Sequence, residues 1–256
     1  MSRSNTDYSL PVPANPTGVT VSDIRARTSN HSLGLGWTRD AASEHFTLAN
    51  SFSGSWLGGN ENLLRSSEEY ARLVPDPFLS NHNAFAFRTS LGGAGSYRGD
   101  MPPYARLFPS DNQIRGLRPG ELGPYAAVSS SSSAGTTQYS AAPAGANLFT
   151  AANLEYRVPV ANGTQASAFF DLGSGWLLPN WLGPTRPLLL ASTNGALHGS
   201  TGIQLQWTVP GIQVPVRGYY AANVLRLNRF LKMPDGSFFH VRNRLSGFGW
   251  ALGTLF

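Results

Sequence analysis

The sequence predicts an all-β protein: an antiparallel β-barrel that spans a membrane with about eight to ten strands. Three observations predict this fold class. Apolar and polar side chains alternate with a period of two along much of the chain, and helical periodicity is scarce. No strictly apolar run exceeds four residues, which excludes a membrane-spanning helix of about 18 apolar residues. Charged residues make up only 13% of the chain, whereas soluble domains carry about 25%.

Four strands are predicted in the first part of the chain, behind a segment rich in proline and asparagine. That segment, residues 1–18, is interpreted as a flexible tail, and the barrel domain is predicted over residues 19–256. In the first strand Leu33, Leu35 and Trp37 share one face, with glycines on the other. The strands cover residues 32–38, 45–53, 62–74 and 83–91, and residues 19–27 add another if they pair.

A long segment without clear alternation, residues 92–145, follows these strands and includes a run of five serines. Connections of this length are uncommon in compact domains and are commonly functional or disordered. The sequence therefore predicts one long, irregular loop in the middle of the chain.

Five more strands are predicted after this loop, with stronger alternation than before. Their polar faces carry Gln, Asn, Ser, Thr and Gly, and few charges. The strands cover residues 147–158, 168–176, 202–209 and 214–224, and a last strand whose apolar face carries Phe248, Trp250, Leu252 and Phe256.

The distribution of polar and apolar faces favours a membrane barrel over a soluble one. A soluble sheet buries its apolar face and exposes a charged one, but the polar faces here have the composition of a wet lumen. Aromatic residues near strand ends, such as Trp37, Trp176 and Trp207, fit the interfacial girdles of membrane proteins. A soluble sandwich or lipocalin-like barrel that acts as a binding module is the alternative.

Signatures of catalysis and of cofactor binding are poor, so we expect no enzyme activity, no cofactor and no metal site. The chain has no cysteine, and its five histidines lack zinc-site spacing. It also lacks a G-x-S-x-G nucleophile motif. The net charge of +5 comes from arginines spread along the chain, so no nucleic-acid partner is expected.

One constellation of charged residues stands out. The long loop carries Arg115, followed by Gly116 and Leu117, and two later strands carry Glu155 and Asp171. By parity both carboxylates lie on the lumen face of adjacent strands. Carboxylates in a poorly hydrated lumen need a cation partner.

These motifs together resemble the C-terminal barrel portion of BamA-type outer-membrane protein assembly factors, the bacterial surface antigen family. The similarity runs from about residue 30 to the end of the chain. In order, it includes a Gly-Trp-Thr strand, the Arg-Gly loop motif, a Leu-Glu-Tyr strand, a Phe-Phe-Asp-x-Gly-x-x-Trp strand, a Gly-Ile-x-Leu-Gln-Trp strand and an aromatic C-terminus.

The resemblance implies that the long loop folds back into the lumen and is held there. Arg115 would pair with Asp171 and Glu155, and Gly116 would allow a close backbone approach. Leu117 stands where the family usually has an aromatic residue. The implied role is folding and insertion of other β-barrel proteins into the bacterial outer membrane, with unfolded barrel clients and outer-membrane lipid as partners.

The chain covers only about the C-terminal half of the family's barrel. We therefore expect a fragment or a half-length relative, which closes alone or together with a second barrel half or copy, because open sheet edges are costly in hydrocarbon. The small residues of the last strand fit a weak, deformable edge or simply a crowded lumen. The alternative function is a passive pore or protein-secretion channel, in which Arg88, Arg157 and Arg217 on lumen faces would favour anions.

Overall fold

The computed structural model of the protein describes residues 2–7, 27–59, 61–79, 82–131, 137–182, 187–208 and 214–252. Within them it contains fourteen strands and three short 3-10 helices, at Ser55–Leu57, Pro103–Ala105 and Pro179–Trp181. No helix in the described part of the chain is long and apolar enough to cross a membrane.

The strands follow one another along the chain with few other elements between them. In order they are β1 (Ser2–Asp7), β2 (Arg27–Ala41), β3 (Glu44–Ser53), β4 (Leu63–Pro75), β5 (Ala84–Ser96), β6 (Tyr125–Ser131), β7 (Thr137–Pro143), β8 (Leu148–Ala161), β9 (Thr164–Trp176), β10 (Leu197–Thr208), β11 (Pro215–Leu225), β12 (Asn228–Lys232), β13 (Phe238–Arg242) and β14 (Ser246–Leu252).

Ten of the described strands form one antiparallel sheet in the order β1-β2-β3-β4-β5-β8-β9-β10-β11-β14. Each strand pairs with the next sheet strand along the chain, so the sheet is an up-and-down meander. Two hairpins stand outside it: β6–β7 within the connection from β5 to β8, and β12–β13 within the connection from β11 to β14. Each of the nine predicted strands corresponds to a strand of this sheet.

The structure differs from the prediction in the connections. The segment at 92–145 is not irregular throughout, because β5 runs to Ser96 and the β6–β7 hairpin lies inside it. These stretches consist mainly of Gly, Ala and Ser, so their alternation is invisible in hydropathy. The β12–β13 hairpin was also missed.

The N-terminal segment lies mostly outside the described residues. Residues 2–7, inside the segment interpreted as a tail, form β1 and pair with Arg27–Ser32 of β2. Most of the additional strand expected at 19–27 falls outside the described residues, as does Phe256 at the C-terminal end.

The two ends of the sheet have different connections. Two-residue turns join β2 to β3 and β8 to β9, whereas the connections at 97–147, 177–196 and 226–245 all leave the opposite end. Outer-membrane barrels have this asymmetry, with short periplasmic turns and long extracellular loops. Arg115 therefore belongs to a segment that enters the sheet from the long-loop end.

The two faces of the sheet differ as the alternation predicts. One exposes large apolar side chains, such as Leu35 (61% exposed), Ile203 (67%) and Phe248 (74%). The other buries polar residues, among them Asn153 and Asp171. An exposed apolar band of this extent is typical of contact with lipid.

Candidate functional site

A tight turn presents Arg115 to the polar face of the sheet. The backbone N–H groups of Gln113 and Ile114 donate to the carbonyl of Ser110 at 3.0 Å. The Gln113 side-chain oxygen in turn accepts from the N–H of Ser110 at 3.0 Å. Gly116 then adopts a φ of +86°, a left-handed conformation that glycine tolerates at little cost. The chain thus reverses immediately after Arg115.

Arg115 binds Asp171 of β9 through three hydrogen bonds. Its Nε donates to Oδ2 at 2.8 Å, its Nη2 donates to Oδ1 at 2.6 Å, and its backbone N–H donates to Oδ2 at 3.0 Å. The two side-chain bonds form the parallel fork that makes arginine–carboxylate pairs geometrically specific. Asp171 therefore fixes both the side chain and the backbone of the loop at this residue.

The remaining nitrogen of the Arg115 guanidinium faces β8 and β10. Nη1 donates to Oε1 of Glu155 at 2.5 Å and to Oε1 of Gln204 at 3.1 Å. The second oxygen of Glu155 accepts from Nε of Arg157 at 2.8 Å. Two carboxylates thus meet two guanidinium groups, which neutralises the cluster.

Water is almost entirely excluded from this cluster. Arg115 is 2% exposed, and Glu155 and Asp171 are fully buried. The Arg115 guanidinium also lies 3.6 Å from the centre of the Phe169 ring, a cation–π contact. Burial by itself lowers the pKa of Arg115, but the hydrogen bonds and charges of Asp171 and Glu155 outweigh it and raise the pKa above its ordinary value. The arginine is therefore permanently charged.

Gly116 and Leu117 complete the docking of the turn. The carbonyl of Gly116 accepts from Nδ2 of Asn223 at 3.1 Å, and a Cβ on Gly116 would lie 2.9 Å from that of Ala221. A side chain at this position would therefore separate the loop from β11. Leu117 is buried in a cluster with Ile114, Leu122 and Ala151 of β8, so an aliphatic contact occupies this place.

Further strands hold the segment just before the turn. Arg88 of β5 donates to the carbonyl of Asn112 at 2.9 Å and also pairs with Glu69 of β4 at 2.9 Å. On the opposite side the Tyr219 hydroxyl donates to Asp111 at 3.0 Å. The loop is therefore fastened across the width of the sheet, from β5 to β11.

The C-terminal strand β14 lies behind the turn. Phe248, Trp250 and Leu252 point outward and are 74%, 68% and 66% exposed. On the inner face, a Cβ at Gly247 would lie 3.2 Å from Cα of Gly116, and one at Gly249 would lie 2.3 Å from the ring of Tyr219. The small inner residues thus leave room for the loop and for this tyrosine.

The structure brings Arg115, Glu155 and Asp171 together and sets Gly116 against the sheet. Sequence reasoning did not identify Phe169, Gln204 and Asn223 as members of the site. Their positions on the strands could have identified them, because alternation places all three on the face that carries Glu155 and Asp171. The described residues contain no group of three or more His, Cys, Asp or Glu side chains that could hold a metal ion.

Comparison with known families agrees with this geometry. The sequence profile of the Omp85 superfamily domain matches residues 14–229, which is most of the chain. The chain belongs to the Omp85 superfamily. No curated protein matches the sequence significantly.

This Omp85 chain is similar in fold to a crystal structure of BamA from Haemophilus ducreyi lacking POTRA domains 1–3. The TM-score is 0.61 and the sequence identity is 16%. The match covers 94% of this chain and 46% of that chain, so the sequence spans about half the length of its structural relative.

The predicted fold class, the BamA-type resemblance and the outer-membrane location are therefore confirmed. The protein is an outer-membrane β-barrel protein of the Omp85 superfamily, which comprises assembly and transport proteins rather than enzymes. The alternative of a soluble sandwich or lipocalin-like barrel is therefore not adopted.

Proposed function

We propose that this Omp85 chain takes part in the folding and insertion of other β-barrel proteins into the outer membrane. The observation that carries the proposal is the edge formed by β14. Among the described residues this strand pairs with β11 over seven residue pairs, whereas β4 and β5 share thirteen. Its other edge is unpaired within the described residues. An incoming strand can add to such an edge through main-chain hydrogen bonds.

The buried arginine supports this role as an anchor, not as a chemical catalyst. Arg115 fixes the turn to β8 and β9, and Gly116 then sits against β11 and close to Gly247 of β14. The loop thereby braces the last strand pair from the lumen side. We propose that this bracing keeps the edge of β14 in a defined position while a client strand adds to it.

The unpaired edge of β14 also indicates which partners the chain needs. Unpaired backbone groups cost several kcal/mol each in hydrocarbon. The outer edges of β1 and β14 have no partner strand among the described residues, so they need one in the membrane. A client strand, a second barrel half or a second copy could supply the missing hydrogen bonds. Outer-membrane lipid is the partner of the exposed apolar face.

The first experiment measures client folding. The chain is reconstituted into liposomes, and the folding rate of a urea-denatured small barrel protein is compared with that in empty liposomes of the same composition. We expect acceleration. No acceleration in the presence of correctly folded chain would contradict the proposal.

A crosslinking experiment tests the edge itself and benefits from the absence of native cysteine. Trp250→Cys on β14 should form disulfides with a cysteine placed in the client's last strand. The matched control is Phe170→Cys, which is also apolar and outward-facing but lies on β9, a strand paired on both sides. Equal crosslinking at both positions would mean that clients do not use the β14 edge.

A passive pore or secretion channel is the second candidate, and a specific observation favours it. Arg217 lies on the inner face and is 7% exposed, and its Nε and Nη1 have no hydrogen-bond partner among the described residues. A cation on a lumen wall favours anion passage. Steady anion-selective conductance in planar bilayers that Arg217→Gln weakens, without client acceleration, would establish the channel.

A further inference from the structure

The β12–β13 hairpin concentrates positive charge at the long-loop end of the sheet. The segment from Arg226 to Arg244 holds five basic residues and one acidic residue, Asp235, which gives a net charge of +4 with histidine neutral. The whole chain has a net charge of only +5. The sole lysine of the sequence, Lys232, is in this hairpin. Most of the excess positive charge therefore belongs to one small element.

This charge is not neutralised within the described structure. The carboxylate of Asp235 accepts hydrogen bonds from the backbone and hydroxyl of Ser237, at 3.0 and 2.6 Å. None of the hairpin's basic side chains forms an ion pair with an acidic group among the described residues, and Lys232 and Arg242 are exposed. The hairpin is thus available to an anionic partner.

The hairpin has two chemically different faces. Leu231 and Val241 point inward and are buried in a cluster with Tyr125 of β6 and Leu190. This contact packs the hairpin against the other long connections and makes it an integral part of the fold.

The opposite, outer face combines aromatic and cationic groups. Phe230 and Phe238 are 70% and 68% exposed, large values for phenylalanine. Phe230 stacks on the His240 ring with centroids 4.4 Å apart, and Phe238 lies opposite Lys232 in the strand register. Apolar rings beside cationic groups are typical of protein surfaces at a membrane–water interface.

The outer face also continues the lipid-facing surface of the sheet. The hairpin leaves β11 and β14 where Val224, Leu245 and Phe248 are 54%, 61% and 74% exposed. The apolar band of these strands therefore leads directly to the base of the hairpin. The outer face of the hairpin therefore lies beside the surface that we assign to lipid.

We propose that the outer face of the β12–β13 hairpin docks on the phosphate-bearing surface of the outer leaflet. Phe230 and Phe238 enter the interfacial region, and Lys232 and Arg242 bind lipid phosphate groups. The inference needs the outer-membrane location only, and it applies whether the chain inserts clients or forms a pore.

The test places a fluorescent probe on the proposed contact. Phe238→Cys is labelled with an environment-sensitive fluorophore, and the full chain is reconstituted in vesicles of phosphatidylcholine, alone or with phosphatidylglycerol or lipid A. Quenching by spin-labelled lipid reports docking. The control is Phe78→Cys, an 87% exposed phenylalanine at the opposite end of the sheet, in the β4–β5 connection.

We expect quenching at position 238 to rise with anionic lipid, while quenching at position 78 stays independent of composition. Each cation near an anionic surface strengthens attachment about fivefold. The double substitution Lys232→Gln/Arg242→Gln should therefore lower the docking equilibrium about 30-fold, and added salt should act in the same direction.

Three outcomes would overturn the inference. The first is equal quenching at position 238 in neutral and anionic vesicles. The second is insensitivity of quenching to the double substitution in a chain that still shows heat-modifiable mobility in electrophoresis. The third is that soluble polyphosphate, added to neutral vesicles, changes the emission of the probe as much as anionic lipid does, which would point to a soluble polyanion instead of a membrane.

Discussion

Replacing Arg115 by methionine should destabilise the fold far more than the same change at an exposed arginine of the same loop. The change removes four side-chain hydrogen bonds and leaves Asp171 buried with no cation against it. Glu155 keeps its contact with Arg157. Removing one partner of a buried ion pair costs about 3–5 kcal/mol, because the other charge stays desolvated. We expect a loss of unfolding free energy in this range.

The assay is urea unfolding of the reconstituted chain, followed by tryptophan fluorescence and by heat-modifiable mobility in electrophoresis. Arg118→Met is the matched control, since Arg118 lies three residues further along the same loop and is exposed. Its effect should stay within about 0.5 kcal/mol. Limited proteolysis of the loop, which should become faster only in the Arg115 variant, gives an independent reading of docking.

A double-mutant cycle with Asp171→Asn isolates the pair itself. Because an uncharged amide in place of the Asp171 carboxylate needs no cation, the double variant should be more stable than the sum of the two single effects, with a coupling of about 0.5–3 kcal/mol. If Arg115→Met costs no more than Arg118→Met, or if the two single effects simply add, the buried pair does not anchor the loop.

Three further expectations concern the loop and the long-loop end. Gly116→Ala should lower the unfolding free energy in urea by about 1–3 kcal/mol more than Gly99→Ala does. Both glycines have a positive φ, but only Gly116 has close neighbours. Equal losses would show that packing plays no part. Burial, and secondly the charge of Glu121, raises the pKa of Tyr125 from 10.0 to about 12. The stabilising contribution of the neutral Tyr125 hydroxyl is therefore complete below pH 10 and is lost as the pH rises towards 12. Tyr125→Phe should flatten the loss of unfolding free energy between these pH values. An unchanged dependence of unfolding free energy on pH would contradict this. Asn243→Ala should lower the unfolding free energy by about 1–3 kcal/mol, since Asn243 donates to the Glu121 carbonyl and accepts from the Tyr125 hydroxyl. Faster hydrogen exchange confined to these neighbours would support the prediction. An unchanged unfolding free energy would refute it.

The strands of the sheet could be predicted from the sequence because one of their faces meets lipid and the other faces a polar lumen. This contrast imposes a period of two on the sequence, as in Leu33, Leu35 and Trp37, and it requires no knowledge of distant contacts. The β6–β7 hairpin lacks this contrast, because its Ala and Ser side chains differ little in hydropathy. The β12–β13 hairpin was missed for another reason: its strands are only five residues long and mix aromatic and charged side chains, and its one buried side depends on packing against other connections.

The sequence by itself determined the fold class, nine of the ten described sheet strands and the faces on which Glu155 and Asp171 lie, because alternation and parity are local properties. Only the tertiary structure decided that one guanidinium reaches both carboxylates together with Gln204 and Phe169. The hydrogen-bonded partners are 40 to 89 positions from Arg115 in the chain, and their meeting depends on strand register and on the path of the loop. Register and loop path are set by the sum of many weak contacts across the sheet, which no local pattern encodes.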